Sequence, residues 1–193
     1  VLDIIWYICD WFIGENPNVQ ELLSVYFNDI FEKECVGYRF VNGKIVGITD
    51  DAEMRAIEQA TRGPFDACRT HIKKAVGFLA DRENKDYKNC VKESISAVEA
   101  ICKIIAAEPS YDMKKAIKCL KKGGVNIHPT LEAAWEKMYA YTCDEGGIRH
   151  AEKLFESDVT FEQAKYMLVS CSAFVNYLIA EYGKVKNNEK QRN

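Results

Sequence analysis

Arg149 and His150 stand side by side in the stretch Thr142-Cys143-Asp144-Glu145-Gly146-Gly147-Ile148-Arg149-His150-Ala151, which also holds two acids and two glycines. A histidine titrates near pH 6.5 and can pass protons at neutral pH, while an arginine fork can hold a phosphate through two hydrogen bonds. Around none of the other histidines do a base, a cation and carboxylates share so short a segment. The competing reading is structural, with Arg149 pairing to Glu99 or Asp144 to fix a turn. The remaining histidines read as bystanders. His71 falls off the apolar stripe of its helix beside Lys73 and Lys74 and is expected to be exposed. His128, just before Pro129, is expected to be a turn or N-cap residue. Cys143 lies seven residues before His150, but Asp144 and Glu145 oppose the lowered thiol pKa that nucleophilic cysteine chemistry requires.

A second candidate is electrostatic. Residues 112–122 (DMKKAIKCLKK) carry five lysines against one acid. Lys114, Lys115, Lys118, Lys121 and Lys122 therefore suit a nucleic-acid phosphate backbone, although such a face is also simply well solvated. The net charge of −3 conceals this patch, because residues 1–50 hold eight acids against three bases while the rest is slightly basic. Signatures of other chemistries are missing: no Walker lysine loop, G-x-G-x-x-G, G-x-S-x-G, H-E-x-x-H or EF-hand spacing occurs. The eight cysteines include no pair closer than twelve residues, which removes the C-x-x-C spacings of zinc and thioredoxin sites. Neither a metal nor a cofactor is expected. Cys68, Cys102 and Cys171 fall on apolar helical stripes, where free thiols behave as small hydrophobes in a reducing cytoplasm.

The chain that must position these residues has 193 of them, room for one domain with an appendage. Its 48% apolar and 28% charged composition is that of a globular protein, with enough core to need neither disulfides nor metal. Residues 1–13 (VLDIIWYICDWFI) are apolar but carry Asp3 and Asp10 and fall short of the roughly 20 residues that span a bilayer. They read as a core helix. With no signal peptide apparent, a cytoplasmic chain without membrane contact is expected. Helical periodicity predicts a second helix over 19–34 with Leu22, Val25, Tyr26, Asp29 and Ile30 in register. A hairpin over 38–46 follows, since Asn42-Gly43 supplies the positive φ angles of a type I′ turn. Two strands alone are unstable, so the hairpin must lie on helices.

Beyond residue 49 the pattern is helical throughout. Asp50 caps a helix to about 61, with Glu53 in capping-box position, and Pro64 opens the next as its first residue. Helices are predicted over 87–107, 112–122 and 129–141, the last with Leu131, Trp135, Met138 and Tyr139 inward. Thr160 and Gln163 form a capping box for a long helix whose face runs from Ala164 and Leu168 to Leu178 and Tyr182. The expected fold class is mainly all-α. It comprises a bundle of four to five helices over 50–185, N-terminal helices with the hairpin over 1–49, and a frayed tail over 186–193.

The segments VGYRFVNGKIVGIT, TDDAEMRAIEQA, YKNCVKESISAVEAICKII, IHPTLEAAWEKMYAYTCDEGGIRHA and FEQAKYMLVSCSAFVNYLI resemble the AbiJ-type abortive-infection family, a branch similar to the HEPN superfamily. The resemblance covers roughly residues 36–180, and its most specific pieces are KESISAVE at 92–99 and DEGGIRHA at 144–151. It implies a HEPN-like bundle that forms a homodimer and serves antiphage defence. In active members an arginine followed by Asn, Asp or His, with a second histidine four to six residues on, forms a metal-independent ribonuclease site at the dimer cleft. Arg149 and His150 match that motif, and Glu99 is similar to the acid that braces its arginine. The final histidine has no match, since Leu154, Phe155 and Glu156 occupy its positions. The resemblance thus implies a toxin-like endoribonuclease with Arg149 and His150, near Asp144, as its catalytic group. A second copy would supply the other histidine across a twofold axis. The alternative it implies is a non-catalytic module that binds RNA, a nucleotide, or an effector or antitoxin protein.

Overall fold

A computed structural model describes residues 5, 7, 17–34, 36–48, 50–81, 83–143 and 159–192. In chain order these form α1 (Pro17–Lys33), β1 (Arg39–Val41), β2 (Lys44–Val46), α2 (Asp51–Arg62), α3 (Asp66–Ala80), α4 (Tyr87–Ala106), α5 (Met113–Lys122), α6 (Pro129–Cys143) and α7 (Phe161–Arg192). The fold is all-α with one antiparallel hairpin. No helix among the described residues is long and apolar enough to cross a membrane.

The hairpin divides two apolar clusters between its faces. Asn42 and Gly43 take φ of 47° and 79°, the left-handed pair a type I′ turn demands, and set the register Arg39↔Val46, Phe40↔Ile45 and Val41↔Lys44. Alternation along the strands then sends Phe40 and Ile45 to one side, where they pack with Phe31, Val19, Leu23 and Phe27 of α1. Val41 and Val46 go to the other side and join the main core. In a two-residue hairpin the pair flanking the turn exchanges hydrogen bonds and the next pair does not, so the backbone groups of Phe40 point away from β2. Asn28 of α1 meets them. Its Nδ2 donates to the Phe40 carbonyl at 2.9 Å, and its Oδ1 accepts the Phe40 N–H at 2.6 Å. The Ser24 hydroxyl donates to the same carbonyl at 3.1 Å. One amide thus does the work of a missing strand.

The packed face of α1 differs from the predicted register. Leu22, Val25 and Tyr26 are more than 60% exposed, and the inward stripe is Val19, Leu23, Phe27 and Phe31. Apolar residues surround this helix, so periodicity alone leaves its facing open and the hairpin surface chooses.

The bundle is built around α4, which packs against α3, α7, α5 and α6. Val91, Ile95, Val98, Ile101 and Cys102 of α4 are fully buried against Ile72 and Val76 of α3 and Leu168, Cys171, Val175 and Leu178 of α7. Local signals set the ends. Asp50 accepts the N–H groups of Ala52 and Glu53 at 2.9 and 3.0 Å, and the Thr160/Gln163 box closes in both directions at 3.2 and 3.0 Å. Ala107 ends α4 in a left-handed conformation.

Four local readings are corrected. The Glu53 carboxylate does not reach back to its cap but pairs with Lys165 of α7 at 3.1 Å. Pro64 is not the first residue of α3: Phe65, packed against the core in extended conformation, stands between it and the helix start at Asp66. Leu131 is exposed rather than inward, because it lies on the opening turn of α6, ahead of the Trp135 contact with α7. The tail expected to fray over 186–193 is helical as far as Arg192. Helix α7 continues to Arg192, supported by Lys184–Glu181 and Lys186–Glu189 pairs and by Lys186 set 5.5 Å from the Tyr182 ring centre.

Candidate functional site

The basic helix α5 is strongly amphipathic. Met113, Ala116, Ile117 and Leu120 are buried to within 2% exposure, which forces every lysine outward. Asp112 caps it by accepting the Lys115 N–H at 2.8 Å, and that bond holds the Asp112 carboxyl below the usual carboxylate range. At its far end the N–H groups of Gly124 and Val125 return to Lys121 and Leu120 carbonyls, with Gly124 at φ 89°.

The five lysines do not form one uniform patch. Helix α6 runs antiparallel to α5 and presents Glu132 and Glu136, one turn apart. Lys121 reaches Glu132 at 2.5 Å, with the lysine half-buried and the carboxylate more so, and Lys114 lies 3.6 Å from Glu136. Lys115 leans on its own cap Asp112 at 3.6 Å. Lys118 and Lys122 are exposed and make no ion pair among the described residues. The acid ladder neutralises one flank of α5 and leaves the Lys115, Lys118 and Lys122 flank to face solvent. Nothing within 112–122 signals this; Glu132 and Glu136, four apart in sequence, were its only trace.

The expectations on Arg149, His150 and Asp144 lie outside the described residues, as does the 154–156 stretch. The pairs Glu132–Lys121 and Glu136–Lys114 show that α6 runs from the C-terminal towards the N-terminal end of α5, and the helix ends at Cys143. Glu99 is half-buried on α4, one turn before Cys102.

The other histidines are engaged. His128 caps α6, its Nδ1 accepting the Thr130 N–H at 3.2 Å while its carbonyl accepts from Glu132, as the sequence predicted. His71 departs from expectation: it is half-buried, with Nδ1 2.7 Å from Glu93 Oε2 across the α3–α4 contact. The two lie twenty-two residues apart, too far for a local pattern to show.

Among the described residues no cluster of His, Cys, Asp and Glu has the makings of a metal site. The thiols of Cys68, Cys90, Cys102 and Cys171 are buried, and burial pushes Cys68 up to about 11 and Cys90 and Cys102 to about 12. Cys171 moves the same way. Unfolded thiols ionise near their ordinary 9.0, so the native state holds these protons where the unfolded chain loses them. The associated stability is complete below that value and is lost as pH rises through the native values. Denaturation midpoints are expected to fall from about pH 8 to about pH 10.5. Thiol labelling mapped by mass spectrometry should modify half-buried Cys119 well before these four; early labelling of Cys102 or Cys171 would contradict the burial.

The geometry defines a helical bundle with a clamped hairpin and a one-sided lysine stripe. Residues 1–62 match the family described as AbiJ N-terminal domain 4. The match takes in α1, the hairpin and α2, and it supports an AbiJ-type abortive-infection assignment. No curated protein and no solved structure matches the chain.

Proposed function

We propose that this protein acts on RNA in antiphage defence, as a homodimer that cleaves without a metal through Arg149 and His150. The carrying observation is the one-sided neutralisation of α5. Lys115, Lys118 and Lys122 stay exposed along one flank, and α6 ends at Cys143, six residues before Arg149 in the sequence. The lysines hold the phosphate backbone. In the proposed reaction His150 takes the ribose 2′-hydroxyl proton and the 2′-oxygen attacks phosphorus. The bond to the 5′-oxygen breaks, and His150 of a second copy protonates the leaving oxygen. Arg149 stabilises the charge that develops on phosphorus, a contribution worth several kcal/mol in comparable sites.

A second reading, an RNA-binding module without cleavage, is favoured by Leu154, Phe155 and Glu156 where the resembled motif has its last histidine. Incubation with end-labelled single-stranded RNA in EDTA separates them. Cleavage to 2′,3′-cyclic phosphate ends that disappears in His150→Ala supports the nuclease, whereas saturable binding of intact RNA supports the module. In either case Lys118→Glu with Lys122→Glu should weaken binding and flatten the slope of log K against log salt by roughly 0.7 per lysine. An unchanged slope would remove α5 from the RNA interface.

A further inference from the structure

On the face of the hairpin turned to the bundle lies a cleft of about 460 Å³, framed by the end of α3 and the starts of α4 and α7. Tyr38, Tyr87 and Phe161 line it, with Asp81 and Lys85 beside them. Tyr87 and Phe161 open their helices, and their rings stand 5.9 Å apart at 71°, two walls of a box. Gly47 forms another side: a Cβ there would come 3.1 Å from the Phe161 ring, so glycine lets the ring seat against the hairpin.

Two helix N-termini meet here, which by itself would favour an anion, but both are already served. Asp86 caps α4 by accepting the Asn89 N–H at 3.0 Å, and the Thr160/Gln163 box caps α7. Of the charged groups, Asp81 and Lys85 line the cleft, and Lys85 is exposed and makes no ion pair among the described residues; Asp86 and Glu162 adjoin Tyr87 and Phe161 in sequence, and Arg39 donates to the Tyr38 carbonyl at 2.9 Å. Ionisation of the Tyr87 hydroxyl is opposed first by burial and then by the charge of Glu162. Three carboxylates against the two cations Lys85 and Arg39 leave the aromatic surroundings electronegative, the pairing that attracts organic cations to ring faces.

We propose that this cleft binds an alkylammonium group, held against Tyr38, Tyr87 and Phe161 in the field of Asp81 and Glu162. The group could reach it as a free quaternary amine or as a lysine side chain of a partner protein. The site is separate from the RNA reading and stands whether or not that reading holds.

The test uses the full chain, with amide and aromatic resonances of Gly47, Tyr87 and Phe161 followed by NMR. Tetramethylammonium chloride is titrated at constant ionic strength, with tert-butanol as its uncharged isostere and AMP as an anionic aromatic ligand. Saturable shifts with tetramethylammonium alone are expected. Phe161→Leu and Tyr87→Leu should each weaken it roughly two- to fivefold. Should either fail to fold, the surface changes Glu162→Gln and Lys85→Gln decide by sign, the first weakening and the second strengthening binding. Equal response to tert-butanol, tighter binding of AMP, reversed signs, or no saturable shift would each overturn the proposal. A trimethyl-lysine peptide binding more tightly than tetramethylammonium identifies a protein source, and the reverse order a small molecule.

Discussion

Leu168→Ala is expected to cost roughly 3 to 5 kcal/mol of unfolding free energy. Leu168 is fully buried in the first half of α7, on an inward face it shares with Ala164, Met167, Cys171, Phe174, Val175 and Leu178, each no more than 4% exposed. Truncation removes several methyl and methylene groups from water-free packing and leaves a cavity that helices anchored on both sides cannot close. A domain of this kind is stable by only about 5 to 15 kcal/mol, so the variant should show a much lower urea midpoint. The control is Leu22→Ala on α1, where the side chain is 70% exposed, with an expected change within about 0.5 kcal/mol. Comparable losses in the two would mean that the exposed face of α1 is covered in solution.

Asn28→Ala carries the second large effect, about 2 to 3 kcal/mol, through polar groups instead of volume. The Phe40 N–H has Asn28 Oδ1 as its partner and lies in a residue with no solvent exposure, so truncation strands a buried donor. The carbonyl keeps the weaker Ser24 bond. Asn28→Asp retains the acceptor and should lose less, while Ser24→Ala should cost about 1 kcal/mol. Because the bracket joins α1 to the hairpin, loss should be local first. Amide exchange of α1 and β1 is expected to accelerate ahead of α4 and α7, and a uniform acceleration would contradict it.

The two variants stand on either side of the point where local pattern ends: Leu168 lies on a face that spacing predicts, and the Asn28 bracket does not. The faces of α3, α4, α5 and α7 were legible because each presents one apolar stripe and one polar face, so burial follows from spacing. The type I′ turn and the Asp50 and Thr160 caps were legible because they are satisfied by residues within four positions. The facing of α1 was not, since Leu22, Leu23, Val25, Tyr26, Phe27 and Phe31 offer apolar side chains around most of its circumference.

The candidate sites divide the same way. Sequence alone determined that α5 is a lysine-bearing amphipathic helix, that Cys68, Cys102 and Cys171 belong inside, and that Arg149, His150 and the two acids share one segment. Only the tertiary structure decided that Glu132 and Glu136 neutralise Lys121 and Lys114, that His71 meets Glu93, and that Tyr38, Tyr87 and Phe161 enclose one cleft. The physical reason is range: caps, turns and helix faces are set by neighbours along the chain. Ion pairs between helices, the Asn28 bracket and the aromatic box depend on which surfaces the packed core brings together from far apart in sequence.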